Sequence, residues 1–391
     1  MLDAHAADRA LVVDLDGRIQ ALQRSIEELT VQKKSAQARL DAYCYPVLTL
    51  PNEITSEIFL QFNPLYPLCP PLTGPFSPTL LTQICQKWRN IALSMSSLWR
   101  AISCDIRDVE EQCRMVDNWL GRSGNCPLSI RLSTSYRHGT GTARKIMGAV
   151  LVHLGRWEHI SIVSLPHDGL LLPVDTPLPL LRTLELSVDW PYHPPLRGAI
   201  SHDAPRLTSV VLGLFSYRNG GDLLPWSQLT SLTLLNQTPS QCTAILMHAV
   251  NLVYCELTLS EDGTQPQVIS LPRLESLVII HYEYDRESHS TAQNKYLLSF
   301  VAPALRRLQL PGECVAHVES FFEASGCQLQ ELHVTGESGV SFVEEELFRQ
   351  ALPSIPTISF NSRLIDWESP AAAQMRKRNE GRLSIADFAA A

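Results

Sequence analysis

Leu181-Arg182-Thr183-Leu184-Glu185-Leu186 is the stretch on which the reading of this chain turns. It places an apolar residue, two others, and then leucine, a spacer and leucine. The same order returns as Leu207-Thr208-Ser209-Val210-Val211-Leu212, Leu229-Thr230-Ser231-Leu232-Thr233-Leu234 and Leu252-Val253-Tyr254-Cys255-Glu256-Leu257. It continues as Leu274-Glu275-Ser276-Leu277-Val278-Ile279, Leu305-Arg306-Arg307-Leu308-Gln309-Leu310 and Leu329-Gln330-Glu331-Leu332-His333-Val334, with degenerate copies at 157–162 and 355–360. Starting at 157, 181, 207, 229, 252, 274, 305, 329 and 355, the copies are separated by 24, 26, 22, 23, 22, 31, 24 and 26 residues. Nine copies at a near-constant period mark a structural repeat rather than a chance excess of leucine.

In each copy the alternation of apolar and other residues fits a short strand whose leucines point into a shared core, while the intervening chain returns for the next parallel strand. Pro179, Pro205, Pro272 and Pro303 stand two residues before the first leucine, where they would stiffen the approach to the strand. The period and the L-x-L core resemble irregular leucine-rich repeats, without the asparagine that follows the strand in the best-defined repeat class. The fold class expected is therefore α/β to α+β, with an N-terminal helix, a small helical domain and a parallel-strand solenoid over 157–365. In a curved array, the residues between the strand leucines line the concave face. Here these are Glu185, Val211, Thr233, Glu256, Val278, Gln309 and His333, the candidate contacts for a protein substrate. Their mixed chemistry makes any one of them as readily a solvated strand position. Trp190, Tyr192, His193, Tyr282 and Tyr284 in the connecting loops are further candidates, because exposed aromatics favour interfaces.

Upstream, residues 107–156 alternate helix, strand and helix: a helix over 109–120, a strand over 128–132 and a helix over 143–154. This segment is expected to cap the array. Before it, 46–106 carries three motifs: Leu50-Pro51-Asn52-Glu53-Ile54, Cys85-Gln86-Lys87-Trp88-Arg89 and Leu98-Trp99. Pro51 suits the first position of a helix, and Ile54, Ile58 and Phe59 follow at helical spacing. Ser77-Pro78 suits the start of a second helix with Leu80, Leu81, Ile84, Trp88, Ile91 and Ala92 inward. Between the two lies a proline-rich insertion, 63–78, expected as an extended surface loop.

The three motifs in this order resemble an F-box. The resemblance implies docking onto the Skp adaptor of a cullin-RING ubiquitin ligase, with Leu50, Pro51, Ile54, Ile58, Trp88 and Trp99 as adaptor-binding residues. The combination of leading helix, F-box and degenerate repeats is similar to the expanded F-box families of mushroom-forming fungi.

Residues 1–45 form another kind of helix. Val12, Leu15, Ile19, Leu22, Ile26, Leu29, Lys33, Ala36 and Leu40 follow alternating steps of 3 and 4, a heptad seam of four heptads. Arg18, Gln23, Arg24, Glu27, Glu28 and Lys34 fill outer positions. The seam predicts a homodimer, or a single amphipathic helix folded back on its own body.

Composition excludes other classes. The 391 residues are 45% hydrophobic and 18% charged, with a net charge of −8, which argues against a general affinity for nucleic acid. No apolar run approaches the roughly 18 residues of a membrane span and no signal-peptide pattern opens the chain, so a cytoplasmic or nuclear location is expected. The ten cysteines contain no Cys-x2-Cys pair. Cys314 and His317 come nearest to a metal pattern, and the cysteines are expected as small buried hydrophobes, with no cofactor. Gly139-Thr140-Gly141-Thr142 lacks the ending of a phosphate loop. Adjacent acidic residues at 110–111 and 344–346 point apart on a helix, so no catalytic role is expected. Arg376, Lys377 and Arg378 in the tail, 366–391, suit a solvated surface. The sequence thus predicts a substrate-recruiting F-box subunit, or alternatively a non-catalytic repeat scaffold dimerised by its coiled coil and unconnected to ubiquitin transfer.

Overall fold

The structure is a computed structural model that describes residues 2–42, 46–106, 110–134, 140–163, 176–187, 203–213, 224–260, 267–281, 295–335, 349–350 and 352–361. The loop aromatics Trp190, Tyr192, His193, Tyr282 and Tyr284 and the basic tail residues lie outside these. The chain divides into two units, Met1–Ile58 and Phe59–Ala391. The first contains α1 (Leu2–Ala42), a 3-10 turn (Pro46–Thr49) and most of α2 (Asn52–Phe62). Pro51 sits one residue earlier than expected. Its carbonyl accepts the first helical hydrogen bond from the Thr55 amide at 3.1 Å, so it caps the helix from outside.

Along α1 the seam residues Val12, Leu15, Ile19, Leu22, Ile26, Leu29 and Leu40 are all exposed. They are about half exposed, so burial of each would be worth about 1 kcal/mol. No helix among the described residues is long and apolar enough to cross a membrane.

In the second unit the remaining helices and strands build a mixed α/β body around one sheet. Its described strands are β1 (Ala101–Ile106), β2 (Leu128–Thr134), β3 (Trp157–Val163), β4 (Thr183–Ser187), β5 (Ser209–Gly213), β6 (Ser231–Gln237), β7 (Tyr254–Leu259), β9 (Ser276–His281), β11 (Arg307–Pro311), β12 (Glu331–Thr335) and β13 (Thr357–Asn361). They form an 11-stranded sheet in chain order. Every neighbouring pair is parallel. Two short strands, β8 (Ile269–Ser270) and β10 (Phe300–Val301), pair separately. All nine sequence copies fall on strands. Ala101–Ile106, expected to end the F-box-like region, is instead the first strand of the sheet, paired with the strand expected over 128–132.

Register explains the repeat. Leu184, Val210, Leu232, Cys255, Leu277, Leu308 and Leu332 form one row across seven strands; two residues on, Leu186, Leu212, Leu234, Leu257 and Ile279 form a second row and Leu310 pairs with Val334 on the same face. All are at most 2% exposed. The leading leucine of each copy closes a tight turn before its strand. The amide of Leu181 donates to Leu178, that of Leu207 to Ala204, that of Leu274 to Leu271, and that of Leu305 to Ala302, at 3.1–3.2 Å. Pro179, Pro205, Pro272 and Pro303 occupy the second position of these four turns, where a fixed φ near −65° is favoured. The prolines therefore act in the turn and not in the strand. Side-chain amides tie successive turns together: Gln228 Nε2 donates to Ala204 O at 2.6 Å and Asn251 Nδ2 to Ser227 O at 2.6 Å.

The helices are α3 (Leu81–Ile84), α4 (Gln86–Ser94), α5 (Glu110–Arg122), α6 (Thr140–Leu151), α7 (Pro239–Leu246) and α8 (Val318–Ser325). α5 and α6 flank β2 as the sequence predicts. The single helix expected after Ser77 is broken. Ser77 does cap the start, its Oγ accepting from the Thr79 amide, but Cys85 is extended (φ −155°, ψ 169°) and separates α3 from α4. The break changes the helical phase, so Leu81, Ile91 and Ala92 are buried while Leu80 and Ile84 are exposed.

Candidate protein-docking surfaces

On α2 the buried positions are Thr55 and Phe59, with Phe62 half-buried, at i, i+4 and i+7. The Thr55 hydroxyl donates to Pro51 O at 3.1 Å, so a polar residue is accommodated on this face. Ile54 and Ile58 lie beside that stripe and are 51% and 46% exposed. They were expected to share one apolar face with Phe59, and the difference is one of phase: Ile54 and Ile58 each precede a buried position by one residue. Pro51 is exposed and Leu50 half-buried. Four of the six adaptor-binding candidates thus lie in the first unit with apolar surface available.

The other two lie in the second unit. Trp88 is half-buried, meeting Phe59 edge-to-face at 5.0 Å between ring centroids. Its indole N–H is shielded from solvent and has no hydrogen-bond partner among the described residues. Trp99 is fully buried. Its Nε1 donates to Ala92 O at 2.8 Å, its ring meets Trp119 at 5.2 Å and 87°, and the Arg122 guanidinium lies 4.6 Å from its centroid. Trp99 therefore belongs to the core and offers no surface to a partner.

The proline-rich insertion is a strut fixed to the sheet rather than a free surface loop. The Tyr66 hydroxyl donates to Glu158 Oε2 at 2.9 Å, and Glu158 Oε1 accepts from Arg182 Nε at 3.0 Å. Arg100 stacks on the Tyr66 ring at 3.8 Å, and that ring meets His159 edge-on at 5.6 Å. Ser129 Oγ donates to Pro67 O at 2.6 Å, and Pro71 bridges to Ser103. Burial, and then the bond to Glu158, push the Tyr66 hydroxyl well above the usual phenol range. Burial also lowers His159 from its ordinary range.

The seven substrate-binding candidates are brought together in one register row, Glu185, Val211, Thr233, Glu256, Val278, Gln309 and His333. Arg131, Ser161 and Ser359 extend it on either side. The row is not solvated. Exposure runs from 0% at Val278 and Gln309 to 9% at Glu185, so the expectation of open strand positions is corrected. Parallel strands lie about 4.8 Å apart, so each side chain is flanked by two neighbours in register. In addition, Tyr254 and Val278 pack with Ile280 into a second apolar cluster on this face. The Tyr254 hydroxyl donates to Glu256 Oε2 at 2.7 Å. No sequence signal marked Tyr254 as the residue that closes the row, although its even spacing from Glu256 places it on the same face.

Thr233 is 2% exposed, and its hydroxyl finds no hydrogen-bond partner among the described residues. Replacing it with the isosteric valine is expected to raise unfolding stability by about 1 kcal/mol, because an unsatisfied buried hydroxyl is removed without leaving a cavity. Equilibrium denaturation in urea measures this. A loss of stability would mean that the hydroxyl is paired in solution.

Cys104, Cys242, Cys255 and Cys314 are buried, and burial pushes the Cys104 and Cys314 thiols up to about 12, leaving them protonated. Cys69, Cys85, Cys113, Cys126 and Cys327 are only half-buried, against the expectation for all. Among the described residues no group of three His, Cys, Asp or Glu side chains is placed to hold a metal ion. Compared with known families and with curated proteins, the chain matches no family model and no curated protein.

Proposed function

We propose that this chain is a substrate-recruiting subunit of a cullin-RING ubiquitin ligase, with residues 46–100 acting as an F-box that docks the Skp adaptor and the repeats acting as a leucine-rich-repeat solenoid that holds a protein target. The observation that carries this reading is the pair Ile54 and Ile58, half in water one turn apart on α2, directly after Leu50-Pro51. Apolar side chains left exposed on a helix whose other face is occupied are the usual basis of helix-mediated docking. Trp88 and Trp99 act instead in the packing of the second unit, against Phe59 and Trp119. The role is non-catalytic: holding a target near a ubiquitin-charged enzyme raises the effective concentration of its lysines.

Co-expression with the Skp adaptor and affinity purification test the proposal. Wild type is expected to retain the adaptor, and the Leu50→Ala, Pro51→Ala double variant, with an unchanged circular dichroism spectrum, is expected to lose at least about 90% of it, the equivalent of about 1.4 kcal/mol or more. Retention by the double variant would remove these residues from the interface.

One observation favours the alternative reading of a repeat scaffold unconnected to ubiquitin transfer. The row of residues that a receptor would turn toward its target is buried. Absence of adaptor binding by the folded wild type would leave that reading in place.

A further inference from the structure

We propose that α1 pairs with α1 of a second copy of this chain as a parallel, two-stranded coiled coil over residues 12–40, and that Lys33 sets its register. This inference does not rest on adaptor docking. The seam, resolved into its two heptad positions, separates by side-chain shape. Val12, Ile19 and Ile26 occupy position a, and Leu15, Leu22 and Leu29 occupy position d. β-Branched residues at a with leucine at d are the combination that favours two parallel strands over three or four. Lys33 falls at the next a position, where a single polar residue penalises shifted registers, and Ala36 and Leu40 complete the seam.

The structure leaves that seam open. Each of the seven large apolar seam residues is exposed, on a continuous 41-residue helix. An isolated helix gains little from its own hydrogen bonds and usually owes its stability to packing of an apolar face. Burial of seven such residues from each chain is of the size needed to offset the entropic cost of joining two chains. The flanking positions suit an identical partner in parallel. Arg18 meets Gln23, Ser25 meets Thr30 and Gln32 meets Gln37 of the neighbouring helix, so these flanking positions set no like charges against one another, and the like-charged pair in the seam is Lys33 with its own copy. An antiparallel pair in the best-matched register would instead set Lys33 against Leu15 twice. In the parallel pair both helices end at Ala42 on one side, so the two remaining chains leave the coiled coil at the same end and can engage one target bivalently.

Sedimentation equilibrium of the full-length chain tests the pairing. A dimer with a dissociation constant of about 1 μM or tighter is expected. The Leu22→Glu, Ile26→Glu double variant should weaken it by at least about a hundredfold, and Lys33→Ile should tighten it about tenfold, an opposite effect that misfolding would not produce. Under mild oxidant, Leu15→Cys should give a covalent dimer well above the level formed by the parent protein, because the two introduced thiols face each other only in the parallel arrangement. A monomeric wild type, or a dimer indifferent to Leu22→Glu with Ile26→Glu, would overturn the pairing. A trimer would overturn the two-stranded form, and absence of the added cross-link would overturn the parallel orientation.

Discussion

Trp99→Ala is expected to lower unfolding stability by about 3–5 kcal/mol, the range found when a large buried aromatic is truncated. The side chain is wholly buried where the helices after the insertion meet the sheet, with Trp119 on one side and the Arg122 guanidinium over its face. Its loss removes the packing, the edge-to-face contact and the hydrogen bond from Nε1, and it leaves the Ala92 carbonyl without that donor. A domain is typically stable by only 5–15 kcal/mol, so the change should be plain as a shift of the urea midpoint. Trp99→Phe, which keeps the ring but not the N–H, should cost less than Trp99→Ala. A loss below about 1 kcal/mol for the alanine variant would show that the tryptophan is not packed as described.

The Ile54→Asp, Ile58→Asp double substitution is expected to do the reverse: little to stability and nearly everything to docking. Both side chains are about half exposed, so the folded chain loses little burial, and exchanges of this kind on a surface cost about 0.5 kcal/mol or less each. Aspartate and isoleucine have similar helix propensities, and a carboxylate at 54, in the first turn of α2, is favoured by the helix dipole. In a bound state, however, two anions would replace an apolar contact at the centre of the interface. Affinity for the adaptor should fall by at least about a thousandfold, roughly 4 kcal/mol. Titration of the adaptor against both proteins, with denaturation curves on each, separates the two effects.

The repeat was legible because its signal is redundant. Leucines at a fixed offset recur in copy after copy, and the register of the sheet turns that offset into aligned rows, so an error in one copy would not have moved the others. The small helical region had no such redundancy. A four-residue difference fits Ile54–Ile58 and Thr55–Phe59 equally well, and the apolar pair looks like the core although the structure buries the threonine. Threonine escapes notice because its hydroxyl is satisfied within the helix, by Pro51 O. The break at Cys85 was not legible either, since nothing in Ile84-Cys85-Gln86 forbids a helix. The insertion could be read as non-helical from its prolines, but Tyr66 meets Glu158 from 92 positions away, a pairing without local pattern. The candidate row at Glu185 to His333 was placed correctly on one face and wrongly in water. Strand alternation reveals which face a residue takes, and it does not reveal what else, such as Tyr254, packs there.

The most direct test of the receptor reading is a calorimetric titration of the purified full-length chain with purified Skp adaptor. Saturable binding of one adaptor per chain, lost in the folded Ile54→Asp, Ile58→Asp variant, is the predicted result. Absence of binding by the folded wild type, or binding that the double substitution leaves intact, would contradict it.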